Sequence, residues 1–461
     1  MSANKKSLFV TDDGRNVVVA FILVSSLFLL WGFCNGMIDV MDKHFQQELH
    51  LNLAQSAWVQ FAHYLGYFLM SLPAGWLATK LGYKGGIIAG LLMVAVGGFW
   101  FIPATHLATF WAFLLGVCII ASGLTFLETV ANPYTTVLGD PRYAATRINL
   151  AQSCNGIGWI FGPIAGSMFF YSKDAAGNST GSQTLWIPYA GVAVVVILLA
   201  VVFYFASIPE INTEDDYHLD DAAPGAAHSI WHHPHFVMAV AAQFFYVAAQ
   251  AGIFSFFINY MTSQVPPIPA AWDSAVTKLS THAGFLQNLL HGWFETNQHG
   301  VLAISDKGAS NLASLGFVCF LVGRFTGAGF LRKFSAHKML GLYATLNVGI
   351  CLLIFCHLGW LSVVGVFLSY FFMSIMFPTI FALGIFGLGV RAKKASAFIV
   401  MAIIGGALLP KLMGHVADKS DMSRGFIVPM FCFALVACYG FLWPKLSKAE
   451  SLHGVRASGG H

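Results

Sequence analysis

The chain has 461 residues, 57% of them hydrophobic and only 10% charged, where an average soluble domain carries roughly a quarter charged. That balance excludes an ordinary soluble enzyme. The formal net charge of +4 gives no reason to expect a nucleic-acid partner, and what it says about a membrane protein depends on where Lys and Arg sit.

A bilayer core about 30 Å thick takes roughly 20 apolar residues per helix, so separate apolar runs count spans. Residues 1–16 are polar and precede the first run without a cleavage pattern, so that run is expected to be a retained helix. Six runs follow, at 17–41, 54–79, 84–103, 107–137, 144–171 and 185–207. From 208 to 233 the chain turns polar and acidic, with Glu210, Glu214, Asp215, Asp216, Asp220 and Asp221, as a linker would. Six more runs lie at 234–262, 309–333, 338–358, 361–389, 394–416 and 425–446, before a polar tail at 447–461. The fold class expected is an all-α membrane protein of twelve transmembrane helices in two six-helix halves, 17–207 and 234–446. Residues 263–308 form a long outer loop with PPIPAAW and AGFLQNLLHGWF. Its ordinary reading is a solvated or membrane-surface segment, and its sharper reading a gate over substrate.

Twelve spans put both termini on one side. Lys and Arg concentrate there (Lys5, Lys6, Arg15, Lys80, Lys84, Arg142, Arg147, Arg332, Lys333 and Lys338 among them), which predicts cytoplasmic termini. All eight cysteines fall inside spans, so no disulfide framework is expected. No Walker pattern, zinc spacing or nucleophile elbow occurs, so neither a cofactor, ATP-driven transport nor enzymatic activity is expected.

An internal repeat supports the division into halves. Gly75–Lys84 (GWLATKLGYK) aligns with Gly329–Lys338 (GFLRKFSAHK), Pro133–Gly139 with Pro378–Gly384, and Gly158–Gly166 with Gly406–Gly414, each pair about 250 residues apart. Duplicated halves of this kind enclose a central site and alternate its access.

Two carboxylates escape assignment to a loop or span edge: Asp39 in span 1 and Glu128 in span 4. Asp42 is read as interfacial. An acid in hydrocarbon costs several kcal/mol and is a functional candidate by default. Because burial disfavours its ionised form, such an acid can carry a proton reversibly. The competing reading is an acid paired with Arg324 or facing a wet helix end. Neutral polar residues accompany the acids at helical spacing: Asn35 with Asp39, Glu128 with Asn132, Asn149 with Gln152 and Asn155, and Gln243 with Tyr246 and Gln250. A single buried amide usually just joins helices. A cluster spread over several helices points instead to a shared cavity, where amides meet hydroxyls and aromatic faces pack on a sugar ring. The scarcity of intramembrane Arg and Lys points to a neutral solute.

The segments LLWGFCNGMID, LETVANPYTTVLG, INLAQSCNGIG, AQFFYVAAQ, GRFTG, PTIFALG and SAFIVMAIIGG, in this order along nearly the whole chain, resemble the fucose:proton symporter family of the major facilitator superfamily. The resemblance implies that Glu128 is the coupling proton carrier, that Asp39 serves sugar recognition or proton exchange, and that Gln152 and Asn155 contact the sugar. It also implies an altered pocket wall beside Asn35, where Gly36 and Ile38 stand, and a hydroxyl missing at Phe377. Gln250 is similar to the fucose branch, because the glucose/galactose branch tends to carry an acid there. The superfamily's usual acid near Thr79 is absent, which leaves Arg142 or Arg147 as candidates for gating contacts.

The expected function is therefore symport of a monosaccharide, L-fucose first, with a proton, by a monomer in a bacterial inner membrane. The alternatives are a glucose/galactose or N-acetylglucosamine carrier driven by protons or sodium, and a membrane sugar sensor that binds without transport.

Overall fold

The computed structural model describes residues 9, 16–138, 144–171, 181–206, 230–269, 271–272, 274, 292–296, 300–331, 334–386, 388 and 392–447. The first six long helices are α1 (Val18–Glu48), α2 (58–81), α3 (83–107), α4 (Phe110–Val137), α5 (Ala144–Phe170) and α6 (Trp186–Phe205). The second six are α7 (Pro234–Ser255, resumed as Phe257–Ser263), α8 (Asp306–Leu331), α9 (Ala336–Phe355), α10 (Trp360–Met373, resumed as Met376–Ile385), α11 (Ala392–Met401, then Gly405–Lys419) and α12 (Ile427–Ser447). All twelve expected helices are present, with shifted ends. α1 runs seven residues further than its apolar run, because His44, Phe45 and Gln46 stay buried against protein there.

The break between α2 and α3 rests on Gly82, whose φ of 68° lies in the left-handed region that only glycine enters cheaply. At the opposite end of α2, Asn52 and Gln55 form a capping box on the one-turn helix Leu53–Ser56. Among the described residues, ten of the helices are long and apolar enough to cross a membrane. α2 and α5 fall short because they carry residues such as Gln60, His63 and Tyr64, and Gln152 and Asn155. These two helices meet the opposite half, so their polarity faces protein and not lipid. Apolar side chains on the outside remain bare, with Phe205 78% and Trp111 66% exposed, as a lipid-facing surface requires.

The two halves are built alike. In the first, α5 lies directly on the α1 backbone: a Cβ at Gly158 would stand 2.2 Å from the Leu29 carbonyl oxygen, and one at Gly32 2.0 Å from that of Asn155. In the second, α11 lies on α7 in the same manner, with a Cβ at Gly405 placed 2.1 Å from the Phe244 carbonyl oxygen. Close backbone approach is the usual work of small residues between membrane helices, and Gly158 opens one of the aligned segments of the repeat. Gly158→Val is expected to lower the yield of monodisperse protein in fluorescence-detected size exclusion at least several-fold, since the atom it strikes is backbone and cannot rotate away.

Between α7 and α8 the described part of the loop contains an unexpected hairpin, in which β1 (Phe294–Thr296) pairs antiparallel with β2 (Leu302–Ile304). The rest of AGFLQNLLHGWF, and most of the acidic linker, lie outside the described residues.

Candidate functional site

The site lies where α1, α2 and α4 face α7 and α10. On α1, Asn35 and Asp39 are 6% and 7% exposed. Gln60 Nε2 on α2 donates to Asp39 Oδ1 at 2.7 Å, while Asp39 Oδ2 and Asn35 Oδ1 are buried with no hydrogen-bond partner. Two turns of α2 supply tyrosines. The Tyr67 hydroxyl accepts from Trp31 Nε1 at 2.5 Å and lies beside Asn35 and within electrostatic reach of Glu128. The Tyr64 hydroxyl is within electrostatic reach of Asp39, Glu128 and Tyr246. Tyr64 therefore feels both acids and a tyrosine of the second half. Its ring also abuts Gly406 of α11, where a Cβ would come within 2.4 Å.

Glu128 is half-buried on α4. Neither it nor Asp39 forms an ion pair with Arg324 among the described residues. Arg324 instead places its guanidinium 5.0 Å from the Phe320 ring centre and leaves Nε buried without a partner. The Tyr246 hydroxyl donates to the Met373 carbonyl at 2.9 Å, which bridges α7 to the break in α10. The Phe377 ring lies 6.4 Å from that of Tyr246. On the same helix, Gln243 is fully buried and neither its Oε1 nor its Nε2 has a partner, and Gln250 is half-buried.

Not every expected residue joins this group. Asn155 is buried, and its Nδ2 donates to the Phe28 carbonyl at 3.2 Å, so part of its amide ties α5 to α1. Gln152 is half-buried and already engaged in a polar interaction. The side chains of Asn132, Asn149, Thr79, Arg142 and Arg147 lie outside the described residues. Lys84 donates to the Ala206 carbonyl at 3.0 Å and Lys80 sits over Trp76, both contacts within the first half.

Sequence reasoning missed Tyr64, Tyr67 and an aromatic wall. Trp159, Phe254, Phe317 and Tyr370 come from four helices of both halves. Their ring centres are 4.8 Å apart for Trp159 and Phe317 and 4.6 Å for Phe254 and Tyr370. The Tyr370 hydroxyl is buried, unpartnered and within electrostatic reach of Asp39. The three-residue spacing of Tyr64 and Tyr67 next to His63 was a readable signal. Among so many aromatics, nothing marked the wall.

At the end opposite the termini the halves are latched. Leu53 N and Ala54 N both donate to Asp418 at 2.9 Å. Lys43 pairs with Asp306 at 3.7 Å, Gln47 donates to the same carboxylate, and Gln46 exchanges hydrogen bonds with Asn259. Ser255 donates to Asp42. Asp42 is fully buried between the halves rather than interfacial, because α7 packs over it. These bonds between the halves all lie toward this end.

The Major Facilitator Superfamily model matches residues 19–384. The chain is 33% identical to the L-fucose-proton symporter of Escherichia coli K12, over 92% of this chain and 93% of that protein. It is 32% identical to the glucose/galactose transporter of Brucella abortus, over 94% and 96%. The crystal structure of the transporter FucP in the outward conformation superposes with a TM-score of 0.63 at 33% identity, covering 93% of this chain and 99% of that one.

Proposed function

This chain belongs to the Major Facilitator Superfamily, and we propose that it imports a neutral monosaccharide together with a proton by alternating access. The observation that carries the reading is the convergence of Asp39 and Glu128 on Tyr64, which also reaches Tyr246 of the opposite half. Both acids sit where the halves meet, and both lack an ion-pair partner among the described residues. An acid so placed is poised to exchange a proton in one state and to hold it through the other.

Glu128 is the coupling acid in this reading, and Asp39, held by Gln60, recognises sugar hydroxyls. Asn35, Gln243, Tyr246 and Gln250 offer further hydrogen bonds, joined by Gln152, Asn155 and Asn132 from the neighbouring helices. Phe377 and the aromatic wall supply apolar contact for a ring face. The latched end is the outer one, so the state described is closed to the outside. Placement in a bacterial inner membrane with cytoplasmic termini, and action as a monomer, complete the proposal.

L-Fucose leads because Gln250 is an amide. Glucose or galactose is the second reading, favoured by the near-equal identity to a transporter of that name and by the absence of a hydroxyl at Phe377. The test is external alkalinisation by de-energised cells challenged in turn with L-fucose, D-glucose, D-galactose and N-acetylglucosamine. One of these sugars is expected to raise the external pH. Silence with all of them, with the protein in the membrane, overturns proton-coupled sugar import.

A further inference from the structure

Asp42 stands one turn beyond Asp39 on α1 and is 0% exposed. Ser255 of the opposite half donates to its Oδ2, while Oδ1 is buried with no partner. Ser56, Gln46 and Lys43 lie close enough to favour a charge on Asp42, but their bonds in this structure go elsewhere. Ser56 gives its hydroxyl proton to the Leu53 carbonyl at 3.0 Å. Gln46 Nε2 donates to Ser56 Oγ at 2.8 Å and to Asn259 Oδ1 at 3.4 Å. Lys43, the adjacent cation, turns to Asp306.

The remaining ionisable groups that face Asp42 do not favour a negative charge. Asp39 is a like charge on the same helix. Tyr171, at the end of α5, is neutral, donates to the Val40 carbonyl at 3.3 Å and lies within electrostatic reach of Asp42 and Asp306. α7 brings only the Ser255 hydroxyl. An ionised carboxylate with one donor and one bare oxygen is costly away from water, whereas a neutral carboxyl needs little more than the Ser255 hydroxyl. α7 covers the group through Ser255, and parting the halves at this end removes that cover.

We propose that Asp42 is a third proton-binding acid of the transport cycle, protonated when the end opposite the termini closes over it and released when that end opens. Asp39 differs, since its partner Gln60 belongs to its own half and stays with it. The sign follows from linkage: the closed state binds one proton more than the open state, so the closed-to-open ratio rises as pH falls, by up to about ten-fold per pH unit for one proton. The inference rests on the alternating-access reading but not on the role of Glu128.

The test is a distance distribution between nitroxides at Leu107→Cys and Leu361→Cys, measured by double electron–electron resonance in liposomes from pH 8 to 5. Both positions are exposed at this end, at 58% and 55%. The exposed Cys356 and Cys438 are replaced by Ser, and Glu128→Gln silences that acid. The short-distance population is expected to grow as pH falls, and Asp42→Asn to remove most of that slope while holding the closed state at all pH values. Asp42→Ser is expected to remove the slope too, which guards against a misfolded variant. Ser255→Ala is expected to shift the ratio toward open and keep the slope. A slope that persists in both Asp42 variants, or that is absent from the parent, overturns the proposal. Because no sugar is used, failure here is separable from failure of the sugar-driven alkalinisation.

Discussion

In Glu128→Gln, a sugar pulse produces no external alkalinisation, yet labelled sugar still exchanges across the membrane. The amide keeps the size of the carboxyl and its place near Tyr64 and Tyr67, so binding and the conformational cycle survive. What disappears is the exchangeable proton. A proton moving down a potential of 100 mV supplies about 2.3 kcal/mol, enough for roughly 50-fold accumulation of a neutral solute, since 1.4 kcal/mol is ten-fold. The variant is expected to reach an inside-to-outside ratio near one in membrane vesicles, while counterflow into preloaded vesicles stays within a few-fold of the parent. Loss of counterflow as well would mean that Glu128 holds the fold or the sugar and does not carry the proton. Accumulation that persists would move the coupling to another group.

The fold was legible because hydrocarbon imposes length and composition on every helix, and because glycine-rich stretches stand where α5 lies on α1 and α11 on α7. Asp39 and Glu128 were legible for the complementary reason: an acid far from any span edge has no inexpensive explanation. Asp42 was misread by the same criterion. It sits at the end of an apolar run, where sequence alone suggests water, but α1 continues to Glu48 and the opposite half covers it. Burial produced by contact between halves leaves no periodic trace in either half. The latches escaped notice on the same ground, since Asp418 and Leu53 are 365 residues apart and both look like ordinary loop-end residues. Tyr64 belongs to a third class. Its chemistry was visible, yet only the folded chain brings it within electrostatic reach of two acids and a tyrosine of the other half.

Gln243→Leu is expected to make the sugar-free protein more stable while weakening sugar binding by roughly 10- to 100-fold, at about 1–3 kcal/mol for lost hydrogen bonds to a buried amide. Gln243 is fully buried on α7 with both amide atoms unpartnered. Leucine of similar volume removes that desolvation cost, so the thermal midpoint in detergent should rise by the equivalent of about 1 kcal/mol. A ligand that recovers such a cost is one reason for it to persist in a folded protein. A control lies on α9, where Asn347 is equally buried with both amide atoms unpartnered. That helix packs against α12 and α10 within its own half. Asn347→Leu should therefore raise the midpoint and leave the sugar dissociation constant unchanged, read by calorimetric titration. If Gln243→Leu also leaves that constant unchanged, the amide is only a tolerated defect of packing and the sugar site lies away from α7. If the two variants separate, burial without a partner on the helix that carries Tyr246 is a mark of the binding site, and the same substitution on other α7 residues maps its extent.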